Sequence, residues 1–215
     1  MKTKTNEFHF NVEQKSDEWL ALKVGKVSGS QIIGLSTPAR MRTYLYDKVA
    51  EVATGELPFV FVNEFMKRGN DMEPVARDLY NSKPENGLAI EVGIVTNPDF
   101  KHGVLSPDGL IFDDESGECV GGLEIKCPTS KTHVQTILDG GVPSKNFHQI
   151  LWYFVTIPTM KYLDFMSYDD RCKGNEEYYH RLLRSDIEKE IAELIAQYQK
   201  FEEKYKKYLV ALDLD

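Results

Sequence analysis

The chain has 215 residues, 41% of them apolar, and a formal net charge of −8, which suits one domain built on a sizeable core. No apolar run reaches the length of a membrane span, no apolar stretch follows the first lysines as in a signal peptide, and the three cysteines form no CxxC pair. A membrane protein, a disulfide scaffold and a zinc site are therefore not indicated, and a cytoplasmic protein is expected. The negative charge argues against binding duplex DNA over the whole surface but leaves room for a confined groove or channel.

Residues 1–15 read as an extended lead-in. Ser16, followed by Asp17 and Glu18, marks the start of a short helix through Lys23 that Gly25 ends. Lys23-Val24-Gly25-Lys26-Val27-Ser28-Gly29-Ser30 then leads into the apolar Ile32, Ile33 and Leu35. A Ser-Gly-Ser at a helix start presents unpaired N–H groups and hydroxyls beside lysines, so it reads either as a phosphate cradle or as plain N-capping.

Thr37-Pro38 opens a helix of about four turns that carries Tyr44, Leu45, Val49 and Val52 inward, ends at Thr54-Gly55, and holds Arg40 and Arg42 in its first turns. A second helix is expected from Asn63 towards Tyr80, with Phe65, Met66, Gly69, Met72, Ala76 and Leu79 along its inner stripe. Glu73 shares that stripe. A carboxylate on an apolar face needs a partner, which marks Glu73 as an acidic group for a metal site. Pro74 disfavours helical backbone at the preceding residue, so a break or kink is expected at Glu73.

From Leu88 the texture changes to strand: Ala89 to Val95, a turn at Asn97-Pro98-Asp99, then Gly103 to Leu105 leading through Ser106-Pro107-Asp108-Gly109-Leu110 to Phe112. Asp113 to Gly117 forms a tight link, and Cys119 to Cys127 the next strand, so a short hairpin brings Asp108 and Glu124 face to face. Side chains at i and i+2 of a strand share a face, so Glu124 and Lys126 enter one cavity together. Two carboxylates beside an amine suit metal-assisted hydrolysis. Hard ions such as Mg²⁺ or Mn²⁺ take carboxylate oxygens, and a lysine can orient or deprotonate the attacking water.

Pro128 ends that strand. Thr129-Ser130 caps a helix carrying Val134, Ile137 and Leu138, and Pro143-Ser144 opens another from Lys145 to Ile157 whose block Ile150-Leu151-Trp152-Tyr153 reads as core. Lys161 to Tyr168 reads as an edge strand. Ser185-Asp186-Ile187-Glu188 reads as a capping box for one long helix with Ile191, Leu194, Tyr198, Phe201 and Tyr205 on its apolar face. With no repeat or linker in between, residues 1–215 are expected to form a single domain.

Pro107-Asp108 with Glu124-Ile125-Lys126 resembles the PD-(D/E)xK nuclease superfamily, and S-P-D-G-L with L-E-I-K-C-P resembles its lambda-exonuclease or YqaJ-type viral recombinase branch; the likeness spans about residues 16 to 168. It implies an α/β fold, a restriction-endonuclease-like core with a central mixed sheet flanked by helices. It also implies a Mg²⁺-dependent (Mn²⁺ as substitute) 5′→3′ exonuclease acting on double-stranded DNA ends in phage-type recombination, assembled as a homotrimeric ring and handing 3′ overhangs to a single-strand annealing protein. On the matching positions it implies that Asp108, Glu124 and the Ile125 carbonyl bind metal, that Lys126 positions or deprotonates water, and that Glu73 and Gln149 support metal or phosphate. Lys23, Ser28, Ser30 and Ser106 would contact the terminal 5′-phosphate, with Lys23 standing where an arginine is usual and so lacking its bidentate fork. An endonuclease or a single-strand-specific exonuclease of the same superfamily, and an inactive DNA-binding or assembly module on this fold, are the competing readings.

Overall fold

Two four-stranded mixed sheets meet at the Ser106–Asp108 turn in the computed structural model, which describes residues 6–59 and 61–214. The first sheet contains β1 (Glu7–His9), β3 (Ile94–Thr96), β4 (Gly103–Leu105) and β2 (Val27–Ser28) in that order, with β2 parallel to β4 and the other pairs antiparallel. The second runs β5 (Gly109–Phe112), β6 (Cys119–Lys126), β7 (Tyr162–Tyr168) and β8 (Glu177–Leu183). Here β5 and β6 form the expected antiparallel hairpin. β6 and β7 are parallel, so their connection must cross over, and it does so through helices α4 (Ser130–Asp139) and α5 (Ser144–Thr156). The expected α/β architecture holds, with its mixed sheet divided into these two.

Three helices precede α4 and α5 in the chain: α1 (Asp17–Lys23), α2 (Pro38–Thr54) and α3 (Glu64–Asn81). Ser16, Thr37, Asn63 and Thr129 each cap a helix through a side-chain oxygen that accepts a backbone N–H three residues on, at 3.2, 3.3, 2.9 and 3.4 Å. A 3₁₀ segment, Gly29–Leu35, follows β2. The C-terminal α6 (Glu188–Ala211) buries Ile191, Leu194, Tyr198, Phe201 and Tyr205 in the main core with residues of α2 and α5. Each such side chain removed from water stabilises the fold by about 1.5–3 kcal/mol before the entropy cost of ordering it. A second core lies between α3 and the other sheet face, where Ala76 and Tyr80 meet Leu123 and Ile125. Thus β6 alternates: Leu123 and Ile125 belong to the α3 side, while Glu124 faces α5.

Several expectations need correction. α3 is continuous through Glu73 and Pro74. Proline removes a single N–H, so only the Asn70 carbonyl loses its helical partner while the turns on either side persist. Phe65 and Met66 are not inward-facing but 66% and 43% exposed, because α3 contacts β6 only beyond them. In the stretch expected as strand from Ala89, Ile90 makes an isolated bridge to Leu110 and regular pairing begins at Ile94.

β7 is interior rather than an edge, since β8 pairs along its whole length. The capping box does not form. The Arg184 guanidinium donates to the carbonyls of Met160, Phe154 and Ile157, which pins a 3₁₀ turn over Arg184–Asp186. The helix then begins at Glu188 behind an uncapped Ile187, and the Ser185 hydroxyl donates to Asp186 instead.

Candidate active site

Extending the β5–β6 register one residue past the Gly109–Leu123 pair puts Asp108 opposite Glu124. Both carboxylates are buried, at 9% and 0% exposure. Asp108 Oδ2 accepts the N–H of Ile125 at 2.7 Å. The Tyr153 hydroxyl, from α5, stands between the two acids: it accepts the Asp108 N–H at 3.0 Å and donates to Glu124 Oε2 at 2.7 Å. Glu124 Oε1 is buried without a hydrogen bond of ordinary geometry, and its ionic partner is the ammonium of Lys126, whose side chain is 33% exposed. A cavity opens beside this group at Lys126, walled also by Asn70 and Glu73 of α3, Cys127 just after β6, and Lys145 of α5.

The charges here are strongly coupled. Burial, then the neighbouring Glu124 and Glu73, push the Asp108 carboxyl well above the usual range, against the pull of Lys126 and the Ile125 N–H. Glu73 is raised in the same way by burial, opposed by Arg77, Lys15 and Lys126. Burial alone would depress the Lys126 ammonium, but Glu124, Asp108 and Glu73 outweigh it and hold it above the usual lysine range. Burial and Glu73 push the Cys127 thiol up to about 12, so it rests protonated.

Three acids around one lysine leave an excess of buried negative charge, and the Lys126 ammonium is the partner of Glu124 Oε1 among the described residues. That donor set fits a hard divalent cation, which needs only one or two carboxylates besides backbone oxygen and water. Among the described residues, no group of three or more His, Cys, Asp or Glu side chains is placed to hold a metal ion by itself. Ile125 engages Asp108 through its N–H.

The residues expected around a terminal phosphate divide into two groups. Lys23 and Ser106 contact the face and the edge of one indole: the Lys23 ammonium sits 3.6 Å from the centre of a Trp19 ring, and Trp19 Nε1 donates to Ser106 Oγ at 2.9 Å and to the Gly93 carbonyl at 3.1 Å. Burial, then Lys48, lowers the Lys23 ammonium to about 8. Ser28 is buried and directs its hydroxyl to Gln31 at 3.4 Å, whereas Ser30 is exposed. Gln149 lines this second group, since a methyl placed on Gly29 would meet its Cγ at 3.5 Å. Gln149 makes no hydrogen bond to Asp108 or Glu124.

Four residues of the site carry no motif in the sequence that singles them out. Tyr153 reads as plain core in the sequence; its hydroxyl inside an apolar run is the available signal, because a buried phenol needs a partner. Arg77, one turn after Glu73, pairs with it at 3.3 Å and with Glu91 on its other side. Trp19 falls on a short exposed-looking helix, and Gln14 in the lead-in donates to the Pro107 carbonyl at 3.0 Å.

The same fold occurs in the alkaline exonuclease LHK-Exo of Laribacter hongkongensis, 29% identical over 92% of this chain and 96% of that one, with a TM-score of 0.80. The structure of LHK-Exo in complex with dAMP matches with the same values. A phage related exonuclease from Haemophilus somnus 129PT shares the fold at 12% identity and a TM-score of 0.56, over 87% of this chain and 96% of that one. No curated protein matches in sequence. Residues 18–159, which hold every site residue named above except Gln14 and Lys15, match the family model of the YqaJ-like viral recombinase domain, and the chain belongs to that family.

Proposed function

We propose that this protein is a divalent-metal-dependent 5′→3′ exonuclease that degrades one strand of linear double-stranded DNA and leaves a 3′ overhang for a single-strand annealing protein. The observation that carries this reading is the joining of the buried Asp108 and Glu124 with Lys126, whose side chain lines a cavity together with Glu73. The family and the likeness to exonucleases support the substrate class.

In this reading Asp108, Glu124 and the Ile125 carbonyl hold Mg²⁺, with Mn²⁺ as a substitute. Once bound, the ion supplies charge neutralisation on the scissile phosphate and acidifies water. Tyr153 fixes the Glu124 carboxylate, and Arg77 fixes Glu73. Lys126 reaches the cavity from the strand that carries Glu124, so its ammonium positions or deprotonates the attacking water and faces the charge that develops on phosphorus. Glu73 and Gln149 support metal or phosphate, and Lys23, Ser28, Ser30 and Ser106 receive the terminal phosphate. A homotrimeric ring threading DNA through its centre reconciles a net charge of −8 with a polyanionic substrate. The reading includes one nuclease domain over residues 1–215, a cytoplasmic location and a role in phage-type recombination; no helix among the described residues is long and apolar enough to cross a membrane.

The test is digestion of linear duplex labelled separately at each 5′ and 3′ terminus, with Mg²⁺. Nucleotides should be released from 5′-phosphorylated ends, covalently closed circles should stay intact, and Asp108→Ala should be inert. Activity surviving Asp108→Ala would sink the assignment, and nicking of closed circles would point to an endonuclease.

A further inference from the structure

We propose that Trp19 is a positioning residue for terminal-phosphate selection, its indole fixing the Lys23 ammonium and the Ser106 hydroxyl as a two-donor fork; this rests on the exonuclease reading above. Two independent contacts carry it. The ring face holds the Lys23 ammonium at 3.6 Å, a distance at which the quadrupole of an indole attracts a cation. The ring edge, through Nε1, donates to Ser106 Oγ at 2.9 Å. Indole nitrogen is a donor only, so Ser106 must be the acceptor in that bond. Its own hydroxyl hydrogen is then turned away from the indole, and among the described residues it has no protein acceptor. The two donors contact the same indole and are both partly exposed.

An anion is the ligand that such a fork suits. The fork is also tied to the reaction centre. Ser106 stands two residues before Asp108, Gln14 holds the Pro107 carbonyl at 3.0 Å, and Trp19 Nε1 also reaches the Gly93 carbonyl at 3.1 Å. Gly93 itself is pressed against the lead-in: a methyl there would lie 1.8 Å from the Val12 carbonyl oxygen. The turn that carries Asp108 and the fork therefore move as one unit, so a phosphate held by the fork registers the chain end against the buried carboxylates. Where arginine would present two donors from a single side chain, this chain supplies them from Lys23 and Ser106 with Trp19 between.

The experiment measures binding of blunt duplex carrying either a 5′-phosphate or a 5′-hydroxyl, in EDTA so that no hydrolysis intervenes, for the unmodified chain, Trp19→Phe, Ser106→Ala and the double variant. Phenylalanine keeps a π face under Lys23 but has no N–H. The unmodified chain should prefer the phosphorylated end, and Trp19→Phe should lower that preference about tenfold, the worth of a hydrogen bond that orients a donor to a charged group. Ser106→Ala should lower it similarly, and the double variant should be no worse than the poorer single one, because both remove the same link. A preference retained in Trp19→Phe, or additive losses in the double variant, overturns the proposal while leaving the exonuclease reading intact. Absence of any preference in the unmodified chain overturns the 5′-end reading itself, and this proposal with it. If Trp19→Phe fails to fold, Ser106→Ala with a tryptophan-emission titration by phosphorylated duplex decides: an emission change that persists without the Ser106 hydroxyl at undiminished affinity counts against the fork.

Discussion

Replacing Tyr153 by Phe removes one oxygen from the centre of the site. The ring is wholly buried and stays the same size, so no cavity larger than a hydroxyl is made. Two partners are stranded. Glu124 Oε2 loses a 2.7 Å bond from a neutral donor to a carboxylate, worth about 1.5–3 kcal/mol, and the Asp108 N–H loses its 3.0 Å acceptor, a buried orphan costing about 1–3 kcal/mol. The phenylalanine is easier to desolvate than the phenol and returns part of this, for a net loss of about 3 kcal/mol. In a chain of this length that lowers the melting temperature by about 6–12 °C. The effect on chemistry is separate. Glu124 becomes free to rotate towards Lys126 alone, and loss of such an outer partner lowers activity by about 10- to 100-fold. The assay pairs thermal melting by circular dichroism in EDTA with initial rates on 5′-phosphorylated duplex in Mg²⁺. A variant that melts within about 2 °C of the parent and digests at a similar rate would refute the coupling of the two carboxylates through this hydroxyl.

Asp108→Asn keeps an oxygen for the Ile125 N–H and removes a charge beside Glu124, so without divalent ions it should melt higher than the parent. The sign with pH follows from burial and Glu124 raising the folded Asp108 pKa: the folded chain binds the proton more tightly than the unfolded one, so that stabilisation is complete below the ordinary carboxylate range and is lost as pH rises through the elevated value. The gap between Asp108→Asn and the parent should therefore widen from acid to neutral pH and shrink when Mg²⁺ is added; a gap independent of pH would contradict the electrostatics. Pro74→Ala restores an N–H for the Asn70 carbonyl at an exposed helix position and should stabilise by about 1–3 kcal/mol in urea unfolding. A loss of stability there would mean that the proline ring, not the helix, is what position 74 contributes.

Much of this molecule is local and so was legible before folding. The capping oxygens of Ser16, Thr37, Asn63 and Thr129 bond within three residues of themselves, and the boundaries they set hold in the structure. The pairing of Asp108 with Glu124 needs only a short hairpin, and the placing of Glu124 with Lys126 needs only the two-residue period of a strand. What the sequence left open depends on contacts between segments far apart in the chain. Tyr153 meets the carboxylates only because the crossover between β6 and β7 lays α5 over that face of the sheet. Trp19 meets Ser106 only because α1 folds onto the turn between the two sheets. β7 reads as an edge until β8 returns beside it, and the capping box at Ser185 loses to the Arg184 guanidinium, which finds three carbonyls around the end of α5. Residue type and spacing thus determined which acids and amine could form a site. The tertiary structure decided which neighbours hold them in place, because hydrogen-bond partners across elements are set by packed faces rather than by sequence separation.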